Sequence, residues 1–253
     1  MNIDLKGKKV IVTGGTRGLG YGLAGGLGRA GAELVIIGSS EKVHESARQL
    51  TADCGIPVHG IQGNLEDISS IPQVYAAALE KLDHQVDVLV NCAGVQYRCR
   101  AEEFPMEQWE RILSVNLSAV FRFSQLAAKD MIAQGKGKII NIASMTSFFG
   151  SEMISAYTAS KGGIAQLTKA LSNEWASKGI TVNAIAPGYV ITKLTADMKE
   201  KSPENYREIT NRIPMKRWGT PEDLEGIAVF LASGYADYIS GAVIPVDGGY
   251  LGK

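Results

Sequence analysis

Apolar residues fall in short runs that recur down the chain. Val10–Thr13, Leu34–Ile37, Val58–Gln62, Val86–Asn91, Lys138–Ile142, Thr181–Ala186 and Ala242–Val246 are short and rich in β-branched residues. Runs of this kind read as strands covered on both faces. Between them, Leu19–Ala30, Glu41–Cys54, Ser69–Leu82, Met106–Gln134, Ile154–Ser177 and Pro221–Leu231 carry apolar residues at helical spacing. Strands alternating with helices imply right-handed crossovers, hence an α/β fold: a doubly wound parallel sheet of seven strands with helices on both faces. No linker, repeat or low-complexity tract interrupts the pattern, so residues 1–253 are expected to form a single domain. Ligands of such sheets bind beyond the carboxyl ends of the strands.

The residues directly after the strands are unusual. The first strand is followed by Thr13-Gly14-Gly15-Thr16-Arg17-Gly18-Leu19-Gly20, which opens into a helix. Gly14, Gly18 and Gly20 permit a tight turn close to a pyrophosphate, and the helix N-terminus offers free N–H groups to the anion. The second strand ends in Gly38-Ser39-Ser40, with no carboxylate to bind ribose hydroxyls or repel a 2′-phosphate. Together with Arg17, a partner for that phosphate, this leans towards NADP over NAD.

Tyr157 and Lys161 stand four residues apart at the start of a long helical stretch, so phenol and ammonium share a face. A cation there is expected to lower the tyrosine pKa, as proton transfer requires. Ser144 follows the fifth strand, either as a hydrogen-bond donor to the same substrate oxygen or as a plain helix cap. Asn116 falls inside a helical stretch where Asn is a poor choice, marking a kink, a relay-water site or a locally satisfied amide.

Taken together and in this order, these motifs resemble the short-chain dehydrogenase/reductases, from about Leu5 to the C-terminus. The resemblance implies a Rossmann-like sheet binding NAD(P), with cofactor contacts from Gly14, Thr16, Arg17, Gly18, Leu19, Gly20, Ser39, Asn64, Leu65, Asn91, Ala93, Gly94, Pro187, Gly188, Val190 and Thr192. It also implies a tetrad of Asn116, Ser144, Tyr157 and Lys161. In it Tyr157 exchanges a proton with the substrate oxygen, Ser144 orients that oxygen, Lys161 binds the nicotinamide ribose and tunes Tyr157, and Asn116 holds a relay water. A homotetramer is implied too. Two positions depart from the family pattern: Cys92 stands in Asn91-Cys92-Ala93-Gly94 where a second Asn is usual, and Asn64 replaces an Asp near the adenine.

The stretches Gly94–Arg98, Ala143–Met145, Asn173–Ala176, Arg212–Pro214 and Arg217–Gly219 are similar to the sugar-acid subgroup, the 2-dehydro-3-deoxy-D-gluconate, 2-deoxy-D-gluconate and gluconate dehydrogenases. Arg98 and Arg100, just past the fourth strand, suit a substrate carboxylate, or else pair with Glu102 or Glu103. With Arg98, Ser144 and Tyr157 complete the expected substrate contacts. The polar stretch Thr192–Arg212 resembles the family's substrate cover, ordering on binding.

The competing readings are a 3-oxoacyl-thioester reductase on the same fold, a nucleotide-binding regulator and an extended lyase or epimerase. Arg98 and Trp218 speak against the first, the intact Tyr157 and Lys161 against the second, and the short C-terminal region against the third. Lys plus Arg and Asp plus Glu both number 26, so no overall field draws the chain to nucleic acid or to an anionic membrane. Cys54, Cys92 and Cys99 lack CxxC spacing, and His44, His59 and His84 are far apart, so no metal site is expected. Without a signal-peptide pattern or a membrane-length apolar run, the cytoplasm is the expected location.

Overall fold

The computed structural model describes residues 3–192 and 198–252. Seven parallel strands form one sheet: β1 (Lys9–Thr13), β2 (Glu33–Gly38), β3 (Val58–Gln62), β4 (Val88–Asn91), β5 (Gly137–Ile142), β6 (Ile180–Pro187) and β7 (Val243–Val246). Their spatial order is β3-β2-β1-β4-β5-β6-β7. The order reverses between β1 and β4, where the chain ends of the two strands part and leave a crevice.

The helices are α1 (Gly18–Arg29), α2 (Lys42–Cys54), α3 (Ile71–Glu80), α4 (Met106–Leu113), α5 (Ala119–Gln134), α6 (Ser155–Trp175), α7 (Met198–Lys201), α8 (Pro203–Arg212) and α9 (Glu222–Ala232). Alternate strand residues feed opposite layers, as the two-residue period requires. Val10, Val12, Leu34 and Ile36 pack with Leu23, Leu27, Leu50 and Leu224 under α1, α2 and α9. Ile11, Val35, Ile37 and Leu89 pack with Phe123, Met131 and Leu171 under α3, α5 and α6. Continuous apolar strands therefore follow from a sheet with no wet face.

The differences from the expected elements have local causes. β4 starts at Val88 because the Asp87 side chain enters the ladder first, accepting the Lys9 N–H at 3.0 Å. The stretch Met106–Gln134 is one rod interrupted by a π turn at Ser114–Ser118, which contains Asn116. Within the expected cover Thr192–Arg212, residues 193–197 lie outside the described residues, and α7 and α8 form most of the remainder.

A row of buried polar groups crosses the sheet just below its carboxyl end. Thr13 pairs in register with Asn91, and Asn91 with Asn141. Asn91 Nδ2 donates to Ser124 Oγ at 3.0 Å and to Asn141 Oδ1 at 2.9 Å, and Asn141 Nδ2 donates to Thr168 Oγ1 at 3.0 Å. These bonds tie two strands to α5 and α6. Losing one leaves a desolvated partner, costing about 1–3 kcal/mol. Asn141→Ala is therefore expected to lower the thermal midpoint by several degrees, at about 2–4 °C per kcal/mol for a chain of this size. An unchanged midpoint would show that the row does not bear on stability.

Candidate active site

The turn after β1 is closed by backbone bonds from Gly14 N and Gly15 N to the Ile37 carbonyl, at 2.8 and 3.2 Å. Gly14 has φ +72°, and a Cβ there would sit 2.7 Å from the Ala93 backbone. A Cβ on Gly20 would lie 2.3 Å from the Gly14 carbonyl oxygen. Side chains are thus excluded from the point where β1, the β4 loop and α1 meet. Arg17 is the N-cap of α1 and supplies no side-chain cap, so the first amides of the helix are left to an external anion.

The turn opens on a cleft of about 460 Å³, within the range of small-molecule sites. Gly14, Thr16, Arg17, Leu19, Gly20, Ser39, Asn64, Leu65, Ala93, Gly94, Tyr157 and Lys161, all expected cofactor contacts, line it. So do Cys92 and Arg111, which the sequence reading did not include among them. Glycine-lined walls, a bare helix N-terminus and an end without carboxylate at Ser39 fit a dinucleotide.

Other expected cofactor contacts are placed differently. Asn91 is 2% exposed and its amide nitrogen is used inside the sheet, bracing the site from below, while its Oδ1 is buried without a partner. Val190 is buried in the core, leaving only its backbone for a cofactor. Pro187, Gly188 and Thr192 lie beyond the lining of this cleft, on the β6 side; Thr192 Cγ2 stands 3.5 Å from where a Cβ of Gly18 would be. Asn64 Oδ1 already accepts the Glu66 N–H at 3.1 Å, a turn contact that competes with any adenine amine.

Ser144 caps the short 3-10 turn Met145–Ser147, its Oγ accepting the Thr146 N–H at 3.2 Å. The same hydroxyl faces the Tyr157 phenol and favours its ionised form, so the capping residue also stands beside the tyrosine. Lys161 reaches from α6 to the Ile142 carbonyl at 2.6 Å, and Ser147 Oγ donates to the Lys161 carbonyl at 2.7 Å. Lys161 Nζ stands 5.7 Å from the centre of the Tyr157 ring. Tyr157 and Lys161 thus line one end of the cleft, with Ser144 beside the phenol.

The electrostatics correct one expectation. Burial raises the Tyr157 pKa above its ordinary value, opposed by the Ser144 hydroxyl. Burial also draws Lys161 down to about 8, against a smaller opposing effect of Cys92. The ammonium points at the Ile142 carbonyl rather than at the phenol oxygen, and desolvation sets the direction of the Tyr157 shift. Cys92 is pushed up to about 12 by burial, which keeps it a thiol beside the cleft.

Of the readings open for Asn116, its side chain follows the locally satisfied amide. Its Nδ2 donates to the Val95 carbonyl at 2.9 Å and to Ser160 Oγ at 3.2 Å, and its Oδ1 accepts the Val95 N–H at 2.8 Å. Both amide donors are used. The π turn lets the side chain latch the β4 loop to α6, and the expected kink is this turn.

Of the two loop arginines, Arg100 lies 4.0 Å from Glu102 with both side chains exposed. Arg98 forms no ion pair among the described residues. A second group of residues walls the β6 side: Phe149, Tyr189, Tyr206, Arg212, Trp218 and Tyr250. Arg212 and Trp218 lie in stretches similar to the sugar-acid subgroup; the other four carried no signal, since the group is drawn from five separate stretches of chain and only Tyr206 and Arg212 share one, α8. A larger hollow of about 550 Å³ lies at the amino ends of the strands, lined by Lys8, Asp87, Lys138 and Asp237. It is remote from every group above. Among the described residues no helix is long and apolar enough to cross a membrane, and no cluster of three or more His, Cys, Asp or Glu is placed to hold a metal.

Comparison with known proteins agrees with this geometry. Residues 14–251 match the family model described as enoyl-(acyl carrier protein) reductase. The chain is 43% identical to the 2-dehydro-3-deoxy-D-gluconate 5-dehydrogenase of Bacillus subtilis, over 99% of this chain and 97% of that protein. It is 45% identical to the enzyme of the same name from Escherichia coli, over 99% and 98%. Among solved structures, a gluconate 5-dehydrogenase from Burkholderia cenocepacia in complex with NADP and tartrate is 35% identical. It superposes with a TM-score of 0.92, covering 100% of this chain and 98% of that one. This chain belongs to the short-chain dehydrogenase/reductase family and is an NAD(P)-dependent oxidoreductase.

The buried ammonium gives a pH signature. Lys161 binds its proton less readily when folded, at about 8, than an ordinary exposed lysine does at 10.5. Its charge therefore opposes folding below pH 8, and that cost fades as pH rises from about 8 to 10.5. The difference in thermal midpoint between wild type and Lys161→Met should shift in favour of wild type across that window. A difference independent of pH would mean that Lys161 titrates as an exposed lysine.

Proposed function

We propose that the chain transfers hydride between NAD(P) and a secondary alcohol or ketone of a sugar acid, of the 2-dehydro-3-deoxy-D-gluconate or 2-deoxy-D-gluconate type, with NADP favoured over NAD. The observation that carries this reading is Tyr157 and the buried Lys161 lining one end of a glycine-walled cleft, with Ser144 facing the phenol and Lys161 anchored to the Ile142 carbonyl. When bound, the nicotinamide supplies or accepts the hydride. Tyr157 gives the proton to the carbonyl oxygen during reduction and takes it from the hydroxyl during oxidation. Because its pKa is raised, Tyr157 holds its proton at neutral pH and acts first as an acid. Ser144 donates to the same oxygen and fixes its position. Lys161 lines the cleft where the nicotinamide ribose is expected to lie, and Asn116 holds the β4 loop and α6 in register.

The substrate class is supported by the relatives named above and by Arg98, whose guanidinium is available to a carboxylate as that of Arg100 is not. The NADP preference is supported by Ser39 and Arg17 at one end of the cleft and by the NADP in the Burkholderia enzyme. A homotetramer is supported by half-exposed Phe121 and Ile132 on α5 and by Met106 on α4. One domain carries both cofactor and chemistry in this reading, since every strand joins one sheet. Three free cysteines suit a cytoplasmic site of action.

The assay follows reduced nicotinamide with NAD and NADP separately, against gluconate, 2-deoxygluconate and 2-dehydro-3-deoxygluconate. The expected result is turnover on at least one acid, faster with NADP. Tyr157→Phe should reduce kcat by about 10²–10⁴-fold while leaving cofactor affinity within a few-fold. If no acid reacts while an acetoacetyl thioester is reduced, the sugar-acid reading is wrong.

A further inference from the structure

The wall on the β6 side of the site is assembled from four separate stretches of chain. Tyr189 follows β6, Phe149 follows the Ser144 turn, Arg212 closes α8, and Tyr250 opens the final 3-10 turn Tyr250–Gly252. The Tyr250 ring stacks on Phe149 with centroids 5.9 Å apart and meets Tyr189 edge-on at 5.7 Å. The guanidinium carbon of Arg212 lies 5.1 Å from the centre of the same Tyr250 ring.

This platform is braced. Asp247 accepts the N–H groups of Gly249 and Leu251, both at 2.9 Å, and so fixes the turn that carries Tyr250. Tyr189 rests on Trp218 at 5.1 Å, and Trp218 stacks on Tyr206 of α8 at 4.8 Å. Arg212 itself sits on the last turn of α8, where the helix dipole favours a cation. Its charge is thus held over an aromatic face by cation–π attraction and reaches the site with little freedom to lose.

Two cations converge on this wall. The Tyr189 phenol, raised by burial, is drawn back down by both Arg212 and Arg98. Guanidinia from the β4 loop and from the end of α8 therefore act on one phenol.

We propose that Arg212, seated on Tyr250 beside Tyr189, is a specificity-determining residue that takes the substrate carboxylate together with Arg98. The inference rests on the sugar-acid reading above and adds the second half of its anion subsite. A planar carboxylate accepts two N–H bonds from a guanidinium fork and an O–H from a phenol, whereas a neutral CH₂OH group gains little from two cations.

The test compares each acid with the polyol bearing CH₂OH in place of its carboxylate: gluconate with glucitol, 2-deoxygluconate with 2-deoxyglucitol. kcat and KM are measured for wild type, Arg98→Gln, Arg212→Gln and Arg212→Lys. Wild type should favour the acid. Arg212→Gln should raise the acid's KM about tenfold or more, keep kcat within a few-fold, and leave the polyol unchanged. Arg212→Lys, keeping charge but losing the fork, should fall between. Should Arg212→Gln fail to fold, Tyr250→Phe retains the ring and removes only the hydroxyl, and a rise in KM confined to the acid is expected there too. An acid preference intact in folded Arg212→Gln, or acid and polyol falling together, overturns the proposal. If the preference is lost in Arg98→Gln but kept in Arg212→Gln, the sugar-acid reading stands and Arg212 leaves it. A wild type that treats acid and polyol alike overturns both.

Discussion

Lys161 reaches back from α6 to the carbonyl at the end of β5, while its own carbonyl accepts the Ser147 hydroxyl from the turn after that strand. This reciprocal pair of bonds sets the distance between helix and strand, and the chemistry depends on that distance. Ser144 lies between the two bonds in the chain, and Tyr157 lies one helical turn before Lys161. The approach of the Ser144 hydroxyl to the Tyr157 phenol follows from the clamp. The arrangement costs a buried cation, which draws the lysine down to about 8 and leaves the tyrosine protonated. A protonated phenol next to a fixed hydroxyl is suited to meet a carbonyl oxygen.

Beneath the clamp, the polar row Thr13–Asn91–Asn141 does for the sheet what Lys161 does for the helix. Thr13 Oγ1 accepts the N–H groups of Cys92 and Ala93 at 3.1 and 3.2 Å and turns the β4 loop towards the glycine turn. Asn116 holds the next stretch of that loop against α6. Cofactor cleft and proton-transfer groups are thereby set on one rigid floor, as a reaction sensitive to small displacements requires. The walls above that floor come from more varied segments.

Much of the floor was legible in the chain because its causes are local or periodic. Strands buried on both faces must be apolar throughout, and a phosphate turn must be glycine-rich where backbones approach within van der Waals contact. Tyr157 and Lys161 share a helical face at any four-residue spacing. What the sequence could not display was direction. Asn91 and Asn116 stand where cofactor or water contacts are expected, yet both spend their amides inside the protein, because partners such as Ser124 and Ser160 are brought near only by folding. Val190 turned inward for a similar reason, since β6 delivers it to the core. Of the Tyr189–Tyr250–Arg212 wall only Arg212 was marked, by its stretch's likeness to the sugar-acid subgroup; that the three meet was invisible for the opposite reason, since they are far apart in the chain and no period connects them. The sign of the Tyr157 shift depended on where the ammonium pointed.

The central claim is that one oxygen of a sugar acid meets Ser144 and Tyr157 together at the end of the dinucleotide cleft. A crystal structure of the ternary complex with NADP and a sugar acid that turns over tests it most directly. The account predicts that the reacting oxygen lies within about 3 Å of both Tyr157 Oη and Ser144 Oγ, hydrogen-bond reach for proton transfer, with the carboxylate turned towards Arg98. A substrate bound with its reacting oxygen away from Tyr157, or with its carboxylate in bulk solvent, would contradict it.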